Sequence, residues 1–482
     1  MLQDRDLLSI QEVRDKVAKA RAAFTTIQEF SAEQIDKIVK AMADAAYAHA
    51  EELAKMAVEE TGMGKWEDKL VKNQIASKSL YEHIKDMKTV GVINEYPDKK
   101  IFEVAVPVGV VCGLIPCTNP TSTTIYKSMI CMKSANPIIF SPHPTAKNCI
   151  AKTAEILNEA AIKAGAPENM IQVMEVLHMA GTHELMTNPG VNMILATGGK
   201  DMVKAAYSSG IPALGVGPGD VPAFIDHTAD VPLAVKRVFA SKTFDYGVIC
   251  ASEQSIVSEN CIKDQVLAAV KAEKGYILND EEYAKVCKVL TRGPGKINPG
   301  IVGRPATKIA DMSGITVPAD TRVLCYLEKG VGNEYPFSLE KLSPCLGIYF
   351  EEDWRAACQR CIQLLTFGGV GHTLVIHSND EEVIRQFALK KPVSRLLVNT
   401  PASQGAVGGT TNLFPSFTLG CGSVGGSATS DNVSPLNLIN IRRVAYGVRD
   451  PWDDQPAASS CCEKEIDTDA IAKLVIAALK EM

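Results

Sequence analysis

Residues 109–142 read GVVCGLIPCTNPTSTTIYKSMICMKSANPIIFSP. Two short apolar runs, GVVCGLI and NPIIFS, flank a helix-length segment, PTSTTIYKSMICMKSA, that opens on Pro120. Short apolar runs in alternation with helical segments predict a parallel sheet covered by helices on both faces. The alternation continues through PTAKNCIAKTAEILNEAAIKAG (helix), IQVMEV (strand), a short helix near THELMTN, VNMILAT (strand) and KDMVKAAYSSG (helix). Ligands of such sheets sit beyond the carboxyl ends of the strands, so the loops IPCTNP, SPHPTA and ATGGKD are the first candidates for a site.

Upstream, the first ninety residues are helical in pattern, with Ser31, Glu33 and Gln34 giving a cap signal for a run to about residue 60. Two β-rich arms around EYPDKK then predict a hairpin over 91–107. Downstream, a second α/β segment starts with ADVPLAVKRVFASKTF near residue 228 and runs to about 415, where KPVSRLLVNTPASQG reads as a strand and a glycine-rich loop. A polar linker over 449–465 precedes DTDAIAKLVIAALKEM, whose Ile471, Leu474, Val475, Ala478 and Leu479 recur at helical spacing, an amphipathic helix over 466–482.

The 482 residues suggest two or three domains. With 50 basic and 56 acidic residues, net charge −6 and no basic block, nucleic acid is not an expected partner. The N-terminus lacks a secretory apolar core, and the longest uncharged stretch, 104–117, is too short to span a bilayer, so no membrane segment is expected. Fourteen cysteines without such a signal fit a reducing, cytoplasmic compartment. Cys358 and Cys361 form a Cys-x-x-Cys, but helical periodicity and the lack of a second ligand pair favour helix packing, and no metal is expected.

One cysteine stands apart. Residues 241–255, SKTFDYGVICASEQS, place Cys250 after a turn and among small residues, where backbone N–H groups can approach a reacting atom. A lone cysteine in such a segment is more often structural, and the surrounding sequence decides. FDYGVICASEQS resembles the active-site segment of the aldehyde dehydrogenase superfamily, most closely the CoA-acylating branch, in which the nucleophilic cysteine falls on Cys250. The resemblance spans about residues 5–448 and several motifs in order. VPVGVVCGLIPCTNPTSTT resembles the loop lining cofactor and active site, with Ile115 and Pro116 at the cofactor; IIFSPHPTAKN, with Ser141, Pro142 and His143, resembles the next cofactor loop. ILATGG, with Thr197, Gly198 and Gly199, resembles the loop at the cofactor phosphates, and Gly217 and Leu419 match further cofactor-side positions. EKLSP carries Glu340, which in relatives contacts the nicotinamide ribose. FGGVGHT around His372 and PSFTLGCGSVGG at 415–426 are typical of the acylating branch. The literal Gly-x-Gly-x-x-Gly in GCGSVG lacks a strand before it and a helix after it, and reads as a loop near the substrate entrance.

The resemblance implies an α/β fold of the aldehyde dehydrogenase kind: a Rossmann-type cofactor domain (1–90 and 108–227), an α/β catalytic domain (228–426) and a small β oligomerisation arm (91–107 and 427–448) that would build a homodimer or a tetramer. It implies NAD, with NADP as the alternative, and coenzyme A as co-substrate. Two departures from hydrolytic relatives bear on the reaction. Val216 in GVGPGDVP stands where their water-activating glutamate falls, and Ser141 stands where their ribose-binding lysine falls. Without that base, an acyl-cysteine persists until a better nucleophile such as CoA thiolate arrives. The superfamily's oxyanion asparagine falls on Thr118 or Asn119, and the alignment does not choose between them. His372 reads equally as a base for CoA or acyl transfer and as a loop histidine bonded to backbone. The expected reaction is CoA-dependent oxidation of propionaldehyde or acetaldehyde. A hydrolytic enzyme forming free acid is the alternative, and a non-catalytic scaffold fits poorly with an intact FDYGVICAS and Glu340. The terminal helix resembles the targeting helices of bacterial microcompartment enzymes, which implies shell proteins as partners; docking on its own domain is the other reading.

Overall fold

Helices dominate Arg5–Ile84 of the structure, a computed structural model that describes residues 4–449, 451 and 468–480. The Ala32–Ala48 helix starts with a reciprocal cap: Ser31 Oγ accepts from the Gln34 N–H, and Gln34 Oε1 accepts from the Ser31 N–H. The run that reads as continuous to residue 60 breaks at His49 (φ −98°, ψ 8°), where the separate Ala50–Thr61 helix begins. Left-handed Gly62 (φ 65°) ends that helix, and Gly64 (φ 81°) leads into Trp66–Gln74.

β1 (Gly91–Tyr96) and β2 (Ile101–Pro107) form the antiparallel hairpin that the sequence predicts. The chain then alternates as read from 109 onward. β3 (Val111–Ile115), β4 (Ile138–Pro142), β5 (Ile171–Val173), β6 (Met193–Thr197) and β7 (Ala213–Val216) make a parallel sheet in the order β5-β4-β3-β6-β7. β3 and β4 are buried along their length because helices cover both faces. β5 stops at Val173, shorter than the IQVMEV run suggests.

A second parallel sheet follows, comprising β8 (Val221–Ile225), β9 (Glu253–Glu259), β10 (Gly275–Ile277), β11 (Val323–Leu327), β12 (Cys345–Glu351), β13 (Gly371–His377) and β14 (Val393–Val398), in the order β10-β11-β12-β9-β8-β13-β14. The changeover between sheets therefore lies between Val216 and Val221, ahead of the boundary at 227–228 that the sequence suggests. β8 escapes a sequence reading because Pro222 lies inside it and its five residues follow a glycine- and proline-rich loop. β15 (Ile439–Ala445) returns to pair antiparallel with β2, so strands distant in sequence complete a three-stranded sheet. Within the 427–448 stretch assigned to the arm, only Ile439–Ala445 is strand. Residues before it fold back on the body, where the Val433 carbonyl accepts from Tyr126 Oη and Leu419 bridges to Asn432.

Thr468–Lys480 is helical, with Leu474 69% exposed. The expected linker, 449–465, falls outside the described residues apart from 449 and 451, as do 466, 467, 481 and 482. Among the described residues no helix is long and apolar enough to cross a membrane.

Gly64 is the tightest point of the helical crossing: a Cβ there would lie 1.8 Å from Asp245 Oδ1, on a backbone with positive φ. Gly64→Ala should lower stability by about 2 kcal/mol or more, from left-handed strain and overpacking together. Denaturant melts of the two proteins check this; an unchanged midpoint would mean that the crossing relaxes freely.

Candidate active site

A cavity of about 1320 Å³ opens where the two parallel sheets meet. The first sheet reaches it with its carboxyl ends: Ile115, Pro116, Thr118 and Asn119 after β3, Ser141, Pro142 and His143 at the end of β4, Thr197, Gly198 and Gly199 at β6, and Gly217 after β7. The second sheet reaches it with its amino ends, through Cys250 ahead of β9 and Glu340 ahead of β12; Leu419 closes one side. His372, at the start of β13, does not line the cavity. It is fully buried, with Nδ1 2.9 Å from Thr373 Oγ1 and Nε2 without a hydrogen-bond partner. Gly219 joins it to the cysteine: a Cβ there would lie 1.8 Å from the Cys250 carbonyl oxygen and 3.4 Å from His372 Cδ2.

The cysteine loop owes its shape to three successive left-handed residues, Asp245 and Tyr246 (both φ 52°) and Gly247 (φ 77°). Only glycine adopts that region without steric cost, so the two side chains must be held. Asp245 is fully buried and held on every side. Its Oδ1 accepts from the Lys65 N–H (2.7 Å), its Oδ2 from Lys69 Nζ (2.9 Å) and Lys72 Nζ (2.5 Å), and its own N–H donates to Asp68 Oδ2 (2.7 Å). Lys69 Nζ also donates to the Thr118 carbonyl (3.0 Å), and Lys72 Nζ to Asn119 Oδ1 (2.7 Å) and the Val248 carbonyl (2.8 Å).

Cys250 is partly exposed into the cavity, yet burial, with the nearby Glu340 and Cys421 adding to it, pushes its thiol up to about 12. Arg395 pulls the other way. That guanidinium is buried and binds the carbonyls of His372 (3.0 Å) and Gly420 (2.6 Å) and Thr373 Oγ1 (3.2 Å). Burial, then Arg395, drives His372 well below its ordinary range, so the imidazole is neutral. Glu340 accepts from the Gly219 N–H at 3.1 Å and is pushed up to about 8, mainly by burial and partly by Asp220.

The cavity wall also fits a dinucleotide. Gly199 and Gly217 have open space where a Cβ would project, so bare backbone faces the cavity beside the start of the Lys200–Tyr207 helix. Ser141 is turned to Thr182, with Oγ and Oγ1 2.9 Å apart. GCGSVG is a turn packed against Gly371, where a Cβ would meet the Cys421 carbonyl at 2.0 Å. Among the described residues one side-chain group with metal-ligand spacing, Asp226, His227 and Glu259, lies at the opposite ends of β8 and β9, where His227 Nδ1 is 2.8 Å from Glu259 Oε2.

Sequence reasoning missed Lys69, Lys72 and Arg395, and treated Asp245 only as part of a turn. Two lysines three apart on a short helix, and an arginine inside the apolar strand VSRLLV, were the available signals. The wall from Gly295 to Val302 and Asn333 carried none.

The profile described as the aldehyde dehydrogenase family matches residues 6–281. The bifunctional aldehyde-alcohol dehydrogenase of Escherichia coli (strain K12) is 45% identical over 442 residues, which is 91% of this chain and 50% of that protein. The chain thus spans about half the length of the first curated relatives it matches. An acetylating aldehyde dehydrogenase from Geobacillus thermoglucosidasius superposes with a TM-score of 0.92 at 48% identity, over 93% of this chain and 99% of that one. A propionaldehyde dehydrogenase from the fucose utilisation microcompartment of Clostridium phytofermentans gives 0.82 at 28% identity, over 90% and 97%.

A thiol held near 12 is almost wholly protonated at neutral pH, and its thiolate fraction grows tenfold per pH unit below that value. Iodoacetamide labelling of Cys250 in the unliganded protein, followed by peptide mass spectrometry, should therefore accelerate about tenfold per unit from about pH 7 to about pH 10. A plateau below about pH 9 would mean that the thiolate is already stabilised at rest.

Proposed function

Because this chain belongs to the aldehyde dehydrogenase family, we propose that it oxidises a short-chain aldehyde, propionaldehyde or acetaldehyde, to the corresponding acyl-CoA. One observation carries the choice of CoA over water. The carboxylates among the cavity-lining residues are Asp201 and Glu340; Glu340 is tied to the Gly219 N–H and largely protonated at neutral pH, and apolar Val216 occupies the wall where a water-activating base is expected. A thioester on Cys250 then lacks a base to direct water at it.

NAD, when bound, supplies the hydride acceptor. Gly198, Gly199 and Gly217, with Ile115, Pro116, Ser141, Pro142, His143, Thr197 and Leu419, would hold it, and Glu340 would meet its ribose. The chain's own residues do the rest. Cys250 gives its proton to solvent water and its thiolate attacks the aldehyde carbonyl, and its own N–H and the side-chain amide of Asn119 donate to the oxyanion. Asn119 is preferred to Thr118 for a chemical reason. The Lys72 ammonium has only donors and must face Oδ1, which leaves Nδ2 with its two hydrogens free. Loss of hydride converts the thiohemiacetal into a thioester on Cys250. CoA thiolate then attacks that thioester and frees Cys250. His372, with Nε2 unpartnered behind Gly219, would accept the proton of the CoA thiol as a base weakened by its burial.

The same reading includes assembly and location. The β1-β2-β15 sheet offers open edges to a second copy in a homodimer or tetramer. The Thr468–Lys480 helix, with Leu474 exposed, would carry the enzyme to shell proteins of a microcompartment, as suggested by the likeness to the Clostridium phytofermentans enzyme. A chain cut after residue 449 should lose co-purification with such shell proteins while keeping its activity; equal co-purification would remove the targeting role.

NADH formation from NAD and propionaldehyde should require CoA and fall by at least about a thousandfold in Cys250→Ala. His372→Ala should slow acyl transfer to CoA by about a hundredfold while leaving Cys250 acylation nearly intact, as read by a single-turnover NADH burst. Sustained turnover without CoA would establish the hydrolytic alternative.

A further inference from the structure

The Lys72 ammonium is 1% exposed and has three protons for three acceptors, each from a different part of the cysteine site. Asn119 Oδ1 belongs to the loop after β3 in the first sheet. The Val248 carbonyl lies two residues before Cys250, and Asp245 Oδ2 anchors the left-handed turn that starts the cysteine loop. Helix Trp66–Gln74 thus holds the oxyanion amide and the nucleophile's backbone on one nitrogen. We propose that Lys72 is a positioning residue for the reaction: by occupying Asn119 Oδ1 and the Val248 carbonyl together, it turns the Asn119 amide N–H groups toward the substrate carbonyl and fixes their distance from Cys250.

The proposal rests on the oxyanion role of Asn119 given above. It separates Lys72 from its neighbour. Lys69 shares Asp245 Oδ2 and is equally buried, but its other hydrogen bond goes to the Thr118 backbone carbonyl, and it donates to neither the Asn119 side chain nor Val248. Both lysines stabilise Asp245; only Lys72 spans amide and nucleophile. Burial draws the Lys72 ammonium down to about 8 while Asp245 opposes that shift, so its full set of three donors depends on the carboxylate beside it. A chain of this kind transmits a small displacement directly to the reacting geometry, where an error near 1 Å costs about a hundredfold.

The test is a double-mutant cycle on the CoA-dependent reaction of the full chain, with Lys72→Met, Asn119→Ala and both together, and Lys69→Met as the matched loss of a buried ammonium. Melting temperature and NAD affinity are recorded for each. Asn119→Ala should lower kcat by about a hundredfold to a thousandfold. Lys72→Met should lower kcat by about a hundredfold at unchanged NAD affinity, and the double variant should match Asn119→Ala alone within about threefold. Lys69→Met should lower the melting temperature as much as Lys72→Met does and kcat much less. Losses that multiply in the double variant, or an equal kcat loss in Lys69→Met, would reduce Lys72 to a structural role and overturn the proposal. Full turnover in Asn119→Ala would remove the oxyanion reading and this proposal together, while the acylating reading is decided separately by the CoA requirement of the wild type. If Lys72→Met does not fold, Lys72→Gln, which keeps one donor for Asn119 Oδ1 and loses the ammonium, should lower kcat more than Lys69→Gln does, and an equal loss would overturn the proposal.

Discussion

A carboxylate buried between two ammonium groups sets the geometry of the rest of the cavity. Asp245 is inaccessible to solvent, sits on a left-handed backbone, accepts three hydrogen bonds on its carboxylate oxygens from the Lys65 N–H, Lys69 Nζ and Lys72 Nζ, and donates its own N–H to Asp68. Removing Asp245 would leave two buried ammonium groups without their shared counter-charge, and breaking a buried pair costs about 3–5 kcal/mol. That cost makes the arrangement close to all-or-none. The turn at 245–247 persists because the helix Trp66–Gln74 supplies the charges, and the helix is placed by the glycines at 62 and 64.

The two parallel sheets approach the cavity with opposite polarity, which explains the division of labour around it. Carboxyl ends of the first sheet present loops and open glycine backbone suited to a nucleotide. Amino ends of the second present the cysteine, the glutamate and the buried histidine. A nucleophile at an amino end, the role proposed for Cys250, gains nothing from the usual carboxyl-edge crevice and needs its own support. Arg395, reaching across from β14 to the His372 and Gly420 carbonyls, is part of that support and contributes a positive charge that favours the Cys250 thiolate.

Several features were legible because they depend on neighbours along the chain. The βα alternation from 109 to 207 follows from apolar run length and helix starts, and the hairpin around EYPDKK follows from its turn residues. The residues chosen for the site through motif resemblance line one cavity, except His372. Other features depend on partners far away in sequence. Lys72 and Asp245 are 173 residues apart, and nothing local to either marks the contact. β8 was hidden by Pro222, and β15 reads as a strand only because β2 offers it an edge. His372 lies behind Gly219, a burial that local pattern does not encode.

Sequence alone determined the α/β class and the strand–helix alternation and singled out Cys250 and the reaction proposed for it, because short-range periodicity and motif order are written along the chain. The ground on which Asn119 is proposed over Thr118 exists only in the tertiary structure. The choice turns on which atom a buried ammonium can touch, and an ammonium with only donors must face a carbonyl oxygen. Tertiary structure likewise raises the Glu340 carboxyl above its ordinary range and lowers the His372 imidazole below its own, since both shifts follow from desolvation and from charges that only folding brings near.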